Sequence, residues 1–161
     1  MKSSFVKTAV LVLSLSIATF SVVAQTGNPP YKTGAGLMVD VGEGITLVGP
    51  HVKHFFAPNH AGEAAVLFGS STTGIQLMYQ YNQGIGDVQG LQWYLGLGGI
   101  VFFEKNVDKP TFGLAPAAGL DYKVNKVPLN IFFDWRPKFL FWEGDSDFLA
   151  ARFAFGLRFT F

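Results

Sequence analysis

Hydrophobic and polar residues alternate along most of this chain, most cleanly near its end. From Leu129 to Trp142 the odd positions are Leu129, Ile131, Phe133, Trp135, Pro137, Phe139 and Phe141. The even positions hold Asn130, Asp134, Arg136 and Lys138 among Phe132, Leu140 and Trp142. Side chains of a β-strand point alternately to opposite faces, so one face here is apolar and uncharged. In the last segment Leu149, Ala151, Phe153, Phe155, Leu157, Phe159 and Phe161 share one face. Ala150, Arg152, Ala154, Gly156, Arg158 and Thr160 share the other. Earlier, Leu120, Tyr122 and Val124 stand opposite Ala117, Gly119, Asp121 and Lys123.

This periodicity predicts eight strands: Thr33–Val41, Ile45–Phe56, Gly62–Gly69, Gly74–Tyr81, Leu91–Glu104, Gly113–Val124, Leu129–Trp142 and Phe148–Phe161. Turn-forming residues separate them, as at Gly42-Glu43-Gly44, Ala57-Pro58-Asn59-His60-Ala61 and Ser70-Ser71-Thr72-Thr73. Pro50, Pro116 and Pro137 fall inside strands. A proline removes a ladder hydrogen bond, so bulges or bends are expected there.

The first residues do not alternate. Lys2 and Lys7 precede a mostly apolar stretch from Ala9 to Phe20, and Val22-Val23-Ala24 supplies small residues before Gln25. This is the pattern of a secretory signal peptide cleaved between Ala24 and Gln25. The apolar stretch is shorter than the ~20 residues of a spanning helix. Residues 1–24 are thus read as the signal and 25–161 as one barrel domain. Loss of Lys2 and Lys7 changes the formal charge from +1 to −1.

Composition now tells which face looks inward. Only 14% of residues are charged, against about 25% in an ordinary soluble domain. The 17 Phe and 19 Gly are unusual together. Eleven charged residues fall in the predicted strands: Asp40, Lys53, Glu63, Glu104, Asp121, Lys123, Asp134, Arg136, Lys138, Arg152 and Arg158. With one phase per strand, all eleven point away from the apolar face. The charged face also carries the small residues, such as Gly34, Gly36, Gly96, Gly98, Ala115 and Gly119. A soluble sandwich would turn its apolar face inward and its charges to water. Small and charged residues together suit a narrow lumen, and large apolar ones suit lipid, where a basic side chain costs ~2–4 kcal/mol at the midplane. Tyr79, Tyr81, Trp93, Tyr122 and Phe159 near one set of strand ends, and Phe139 and Phe141 near the other, read as interfacial girdles. The fold class is therefore all-β, a transmembrane eight-stranded antiparallel up-and-down barrel.

Candidate chemistry concentrates inside. Lys53, Glu63, Asp121, Lys123, Asp134, Arg136, Lys138, Arg152 and Arg158 converge in a lumen wide enough only for side chains. Charges buried there must pair, with Glu63 and Asp134 meeting the basic set. The expected result is a salt-bridged plug. The alternatives are a narrow porin-like channel for small solutes and, more remotely, a lipid A-modifying enzyme. The enzyme would need Ser, His and a carboxylate together, and no His falls beside Ser70, Ser71, Ser146 or Glu143 at the predicted outer loops. No catalytic activity, cofactor or metal is expected. His51 and His54 fall on opposite strand faces, and His60 sits in a turn. Glu143-Gly144-Asp145-Ser146-Asp147 lacks the distal Glu of a calcium loop. The absence of cysteine removes disulfides and thiol chemistry, and no basic block suggests nucleic acid.

Several stretches resemble small outer-membrane β-barrels of Bacteroidetes-type bacteria. They are Gly119-Leu120-Asp121-Tyr122-Lys123, Val127-Pro128-Leu129-Asn130, Asp134-Trp135-Arg136-Pro137 and Leu157-Arg158-Phe159-Thr160-Phe161. Weaker matches are Lys53-His54-Phe55-Phe56, Ala61 to Gly69, and Leu91-Gln92-Trp93-Tyr94. Arg136 stands where the family more often carries Lys, which keeps the charge. The short loops differ from those of adhesin-like barrels. The resemblance implies eight antiparallel strands, an N-terminus in the periplasm and no particular reaction. Phe155, Leu157, Phe159 and the terminal Phe161 are similar to the C-terminal insertion signal of such barrels. The expected partners are outer-membrane lipid and the barrel-assembly machinery, with the chain a monomer and any loop partner unspecified.

Overall fold

The computed structural model describes residues 28–161, so the signal segment and the Ala24–Gln25 junction lie outside the described residues. Ten strands appear in chain order: β1 (Thr33–Gly42), β2 (Leu47–Ala57), β3 (His60–Phe68), β4 (Thr72–Gly84), β5 (Leu91–Glu104), β6 (Thr111–Lys123), β7 (Leu129–Trp135), β8 (Lys138–Trp142), β9 (Asp145–Leu149) and β10 (Arg152–Thr160). The described residues contain no helix. Each strand pairs antiparallel with its neighbours, and β10 returns to β1, from Gly34↔Thr160 to Gly42↔Arg152. Because β7 with β8 forms one wall and β9 with β10 the next, the result is a closed eight-stranded up-and-down barrel.

Closure leaves each strand one inner and one outer face. Along β2, Leu47, Gly49, His51, Lys53 and Phe55 are buried, while Val48, Pro50, Val52, His54 and Phe56 are exposed. On β10, Arg152, Ala154, Arg158 and Thr160 face inward, and Phe153, Phe155, Leu157 and Phe159 face outward. Large apolar side chains thus cover the outside and small or charged ones fill the inside. This inverts the arrangement of a water-soluble domain.

The prolines behave differently from the sequence expectation. Pro50 pairs in register with Leu37. On its β3 side, Val48↔Phe68 and His51↔Ala65 continue one register across the gap. The register shift of β2 lies at Phe55–Ala57 instead. Pro116 also pairs regularly, with Leu97. The seam of β6 with β7 and β8 runs from Ala118↔Trp135 to Leu114↔Phe139 in a single register, which sets Pro116 opposite Pro137. Neither proline has an N–H, so the ladder is interrupted there without slipping.

A bulge does form beside Pro137, on the neighbouring wall. Arg136 N donates to Arg152 O at 2.9 Å, and the next rung is Lys138↔Leu149. Pro137 alone therefore faces two residues, Ala150 and Ala151. The missing proline donor leaves the Ala150 carbonyl to another partner, and Trp135 Nε1 donates to it at 2.7 Å. The extra residue reverses the phase between β9 and β10. Phe148 consequently sits opposite Phe139, with ring centroids 4.2 Å apart, while Leu149 sits opposite the inward Lys138. Unbroken alternation had put Leu149 on the face of Phe153, and the bulge corrects it.

Candidate functional site

The inward residues build two charged clusters. The one nearer the termini is drawn from five strands and from Arg136, just past the end of β7. Glu63 on β3 accepts from Arg136 Nη1 at 2.8 Å and from Arg158 Nη2 at 2.7 Å. Arg158 Nη1 also donates to Asp121 on β6 at 3.0 Å, and Lys53 on β2 donates to the same carboxylate at 2.8 Å. Asp134 takes the fork of Arg136, with Nε at 2.9 Å and Nη2 at 2.6 Å. Three carboxylates thus meet three cations, and each charged side chain is fully removed from solvent.

Neutral groups complete the coordination. Tyr31 and Tyr94 donate their hydroxyls to Asp121 and Asp134. Gln80 donates to Glu63 at 3.2 Å, and Asn82 Oδ1 accepts from Lys53 at 2.6 Å. Asn130 bonds both Asp121 and Arg158. The Arg158 guanidinium lies 4.0 Å from the Phe132 ring centroid, and Lys53 Nζ lies 4.7 Å from that of Tyr94. Such contacts suit a desolvated cation. Small residues make the room: a Cβ on Gly119 would come within 2.4 Å of Asp134 Cβ, and one on Gly156 within 2.7 Å of Phe132.

The second cluster lies toward the other end. Asp40 accepts from Arg152 at 2.8 and 3.0 Å and from Lys138. Arg152 also binds the carbonyls of Glu43 and Ile45, anchoring the β1–β2 turn. This cluster carries one positive charge in excess. Met38 on β1 and Ala154 on β10 lie between the clusters along their strands, in an apolar layer with Leu67, Ile100 and Phe132. Two polar layers and one apolar layer therefore fill the lumen.

Of the nine side chains predicted to converge, the structure places six in the first cluster and two, Lys138 and Arg152, in the second. Lys123 is the exception. Its phase is inward, yet it lies at the barrel mouth, and its ammonium donates to the carbonyls of Val124 and Val127 at 3.0 and 2.6 Å. A strand-end lysine finds turn carbonyls before it finds a carboxylate. Asp40, by contrast, organises the second cluster, although the sequence reading counted it only as inward. Its partners Lys138 and Arg152 are remote in sequence, so spacing gives no signal. Tyr31, Tyr94, Asn82 and Asn130 were likewise legible only as inward or terminal polar residues.

The remaining candidates are dispersed. His51 points inward, with Nδ1 3.8 Å from Glu63, and neither of its ring nitrogens has a hydrogen-bond partner. His54 binds Thr33 on the outer face, and His60 binds Tyr79. Among the described residues no three metal-ligating side chains cluster. Glu143 pairs with Lys109 in the open, and Asp145 and Asp147 cap the backbone N–H of the following residue. Phe155, Leu157, Phe159 and Phe161 are exposed along the outer face, Phe161 at 70%.

No protein-family model and no curated protein matches the chain. A solved structure described as "De novo design of transmembrane beta-barrels" is similar to it in fold. The TM-score is 0.52 at 14% identity, covering 84% of this chain and 98% of the other. The likeness concerns the fold alone.

Proposed function

We propose that this chain is an integral protein of a bacterial outer membrane, related to the small Bacteroidetes-type barrels, whose plugged lumen serves a structural or interaction role. One observation carries the reading: in a closed barrel, the outer wall is a belt of exposed Leu, Phe and Val, while Asp40, Lys53, Glu63, Asp121, Asp134, Arg136, Lys138, Arg152 and Arg158 are buried inside and paired. Water would disfavour such a surface by ~25 cal/mol for each Å² of apolar area, whereas lipid does not. The aromatic termini of the strands then sit at the interfaces. Its partners are outer-membrane lipid and the assembly machinery, and it works as a monomer without catalysis.

A plug is favoured over a pore because Glu63, Arg136 and Arg158 meet across the barrel with their side chains wholly shielded from solvent. The test is twofold. Unheated, refolded protein is expected to migrate differently from boiled protein on a gel, and to fractionate with the outer membrane. In a planar bilayer the same protein is expected to remain silent. Current steps well above leak would instead establish the narrow channel.

A further inference from the structure

One concavity of the described residues lies outside the lumen. It is a polar bowl of about 590 Å³ at the terminal mouth of the barrel, within the size range of small-ligand sites. Asn28, Asn59, Gln89, Gln92 and Asn125 line it, with Lys126 on its rim. Gln92 is the built element. It is only 7% exposed, and its Oε1 has no hydrogen-bond partner. A buried amide oxygen without a partner costs roughly 1–3 kcal/mol, so a donor from outside is its natural complement.

The lining selects the chemistry of that donor. A carboxamide offers two N–H donors and one acceptor oxygen. A sugar hydroxyl offers the reciprocal pair. Five carboxamides around one bowl therefore complement a polyhydroxylated ring. Pro30, Pro58, Val88 and Leu91 supply apolar patches of the lining on which the faces of a sugar ring can rest. The two lysines of the lining differ in availability. Lys123 is held by two turn carbonyls. Lys126 stands exposed on the β6–β7 turn, its backbone in the left-handed region at φ 63°. It supplies a cation for a carboxylate. Asp87 on the opposite loop adds an acceptor for hydroxyls.

We propose that this bowl binds an acidic saccharide, with its hydroxyls on Gln92 and the neighbouring carboxamides and its carboxylate on Lys126. The membrane reading places this mouth in the periplasm, and the inference rests on that reading for the compartment but not for the binding chemistry. It gives the proposed interaction role a ligand class. Asn59 Nδ2 donates to Asn82 O at 2.7 Å, and Asn82 in turn holds Lys53, so the bowl's wall is braced by the inner cluster.

The probe is N-acetylmuramic acid, titrated by NMR into protein refolded in nanodiscs and first shown to be folded by heat-modifiable migration. Loss of that migration would count against the barrel in membrane, not against the bowl. The expected result is a saturable shift of the Gln92 and Gln89 side-chain amides, the Gln89 signal reporting affinity in the variants. Gln92→Leu is expected to weaken binding at least ~10-fold, equivalent to ~1.4 kcal/mol. N-acetylglucosamine, which lacks the carboxylate, is expected to bind more weakly than the probe, and Lys126→Gln to remove that difference. Should Gln92→Leu fail to fold, Asn125→Ala on the exposed turn takes its place and is expected to weaken binding. No saturable shift, equal affinity in the variants, or tighter binding of dialanine than of the probe would overturn the proposal.

Discussion

Glu63 joins both central guanidiniums of the inner cluster. Its carboxylate serves two guanidiniums and one amide across the lumen. Removing the charge while keeping the shape, as in Glu63→Gln, leaves Arg136 and Arg158 partly uncompensated. Breaking a buried ion pair by one partner costs about 3–5 kcal/mol. Urea titration of the refolded protein is expected to show a loss of that order. Lys109→Ala removes the exposed partner of Glu143 and is expected to leave the urea midpoint unchanged, because exposed pairs contribute little. At Tyr94 the effect is intermediate. Tyr94→Phe withdraws one hydroxyl from Asp134, a loss of roughly 1–3 kcal/mol by the same titration. Which residues turn inward was legible from alternation alone. Who pairs with whom was not: Asp40 and Arg152 are 112 residues apart, and only closure of β10 on β1 brings them together.

The elements obey a similar division. Eight walls, their order and their antiparallel sense follow from period-two segments joined by short turns. The split of the last two walls does not. It comes from Pro137, whose missing donor acts on its neighbour and creates the bulge at Ala150–Ala151. Nothing near Ala150 signals this, since the cause sits on another strand. The Trp135 indole that caps the Ala150 carbonyl is therefore a positioning group, and it lies in the Asp134-Trp135-Arg136-Pro137 stretch on which the family resemblance partly rests. Trp135→Phe is expected to lower stability by about 1 kcal/mol, measured as a shift in urea midpoint. Deletion of Ala151 removes the extra residue. Ala150 then faces Pro137 alone, Leu149 and Arg152 both stay inward, and Phe148 stays outward opposite Phe139. Its expected signature is retained heat-modifiable migration. Gly119 is a second constraint at this scale: Gly119→Val must displace Asp134 or the Phe133 carbonyl, and it is expected to fold poorly in the same assay.

At the scale of the whole molecule, the barrel is a protein turned inside out. Its inner charges are gathered into two layers, one balanced and one with a single positive excess, and most of its large apolar residues face outward. The overall charge of the chain says little about this, because sign and place are sorted by strand phase. The proposal that lipid covers the outer wall makes a spatial prediction. The chain has no cysteine, so single cysteines can be placed without background. Leu97 and Leu157 are exposed on the outer face at 60% and 52%, and Asn125 lies on an exposed turn. The most direct measurement labels Leu97→Cys, Leu157→Cys and Asn125→Cys with a small fluorophore and refolds each into vesicles with brominated acyl chains. Strong quenching at residues 97 and 157, with little at 125, is the predicted result. Equal and weak quenching at all three positions would contradict a wall that faces lipid.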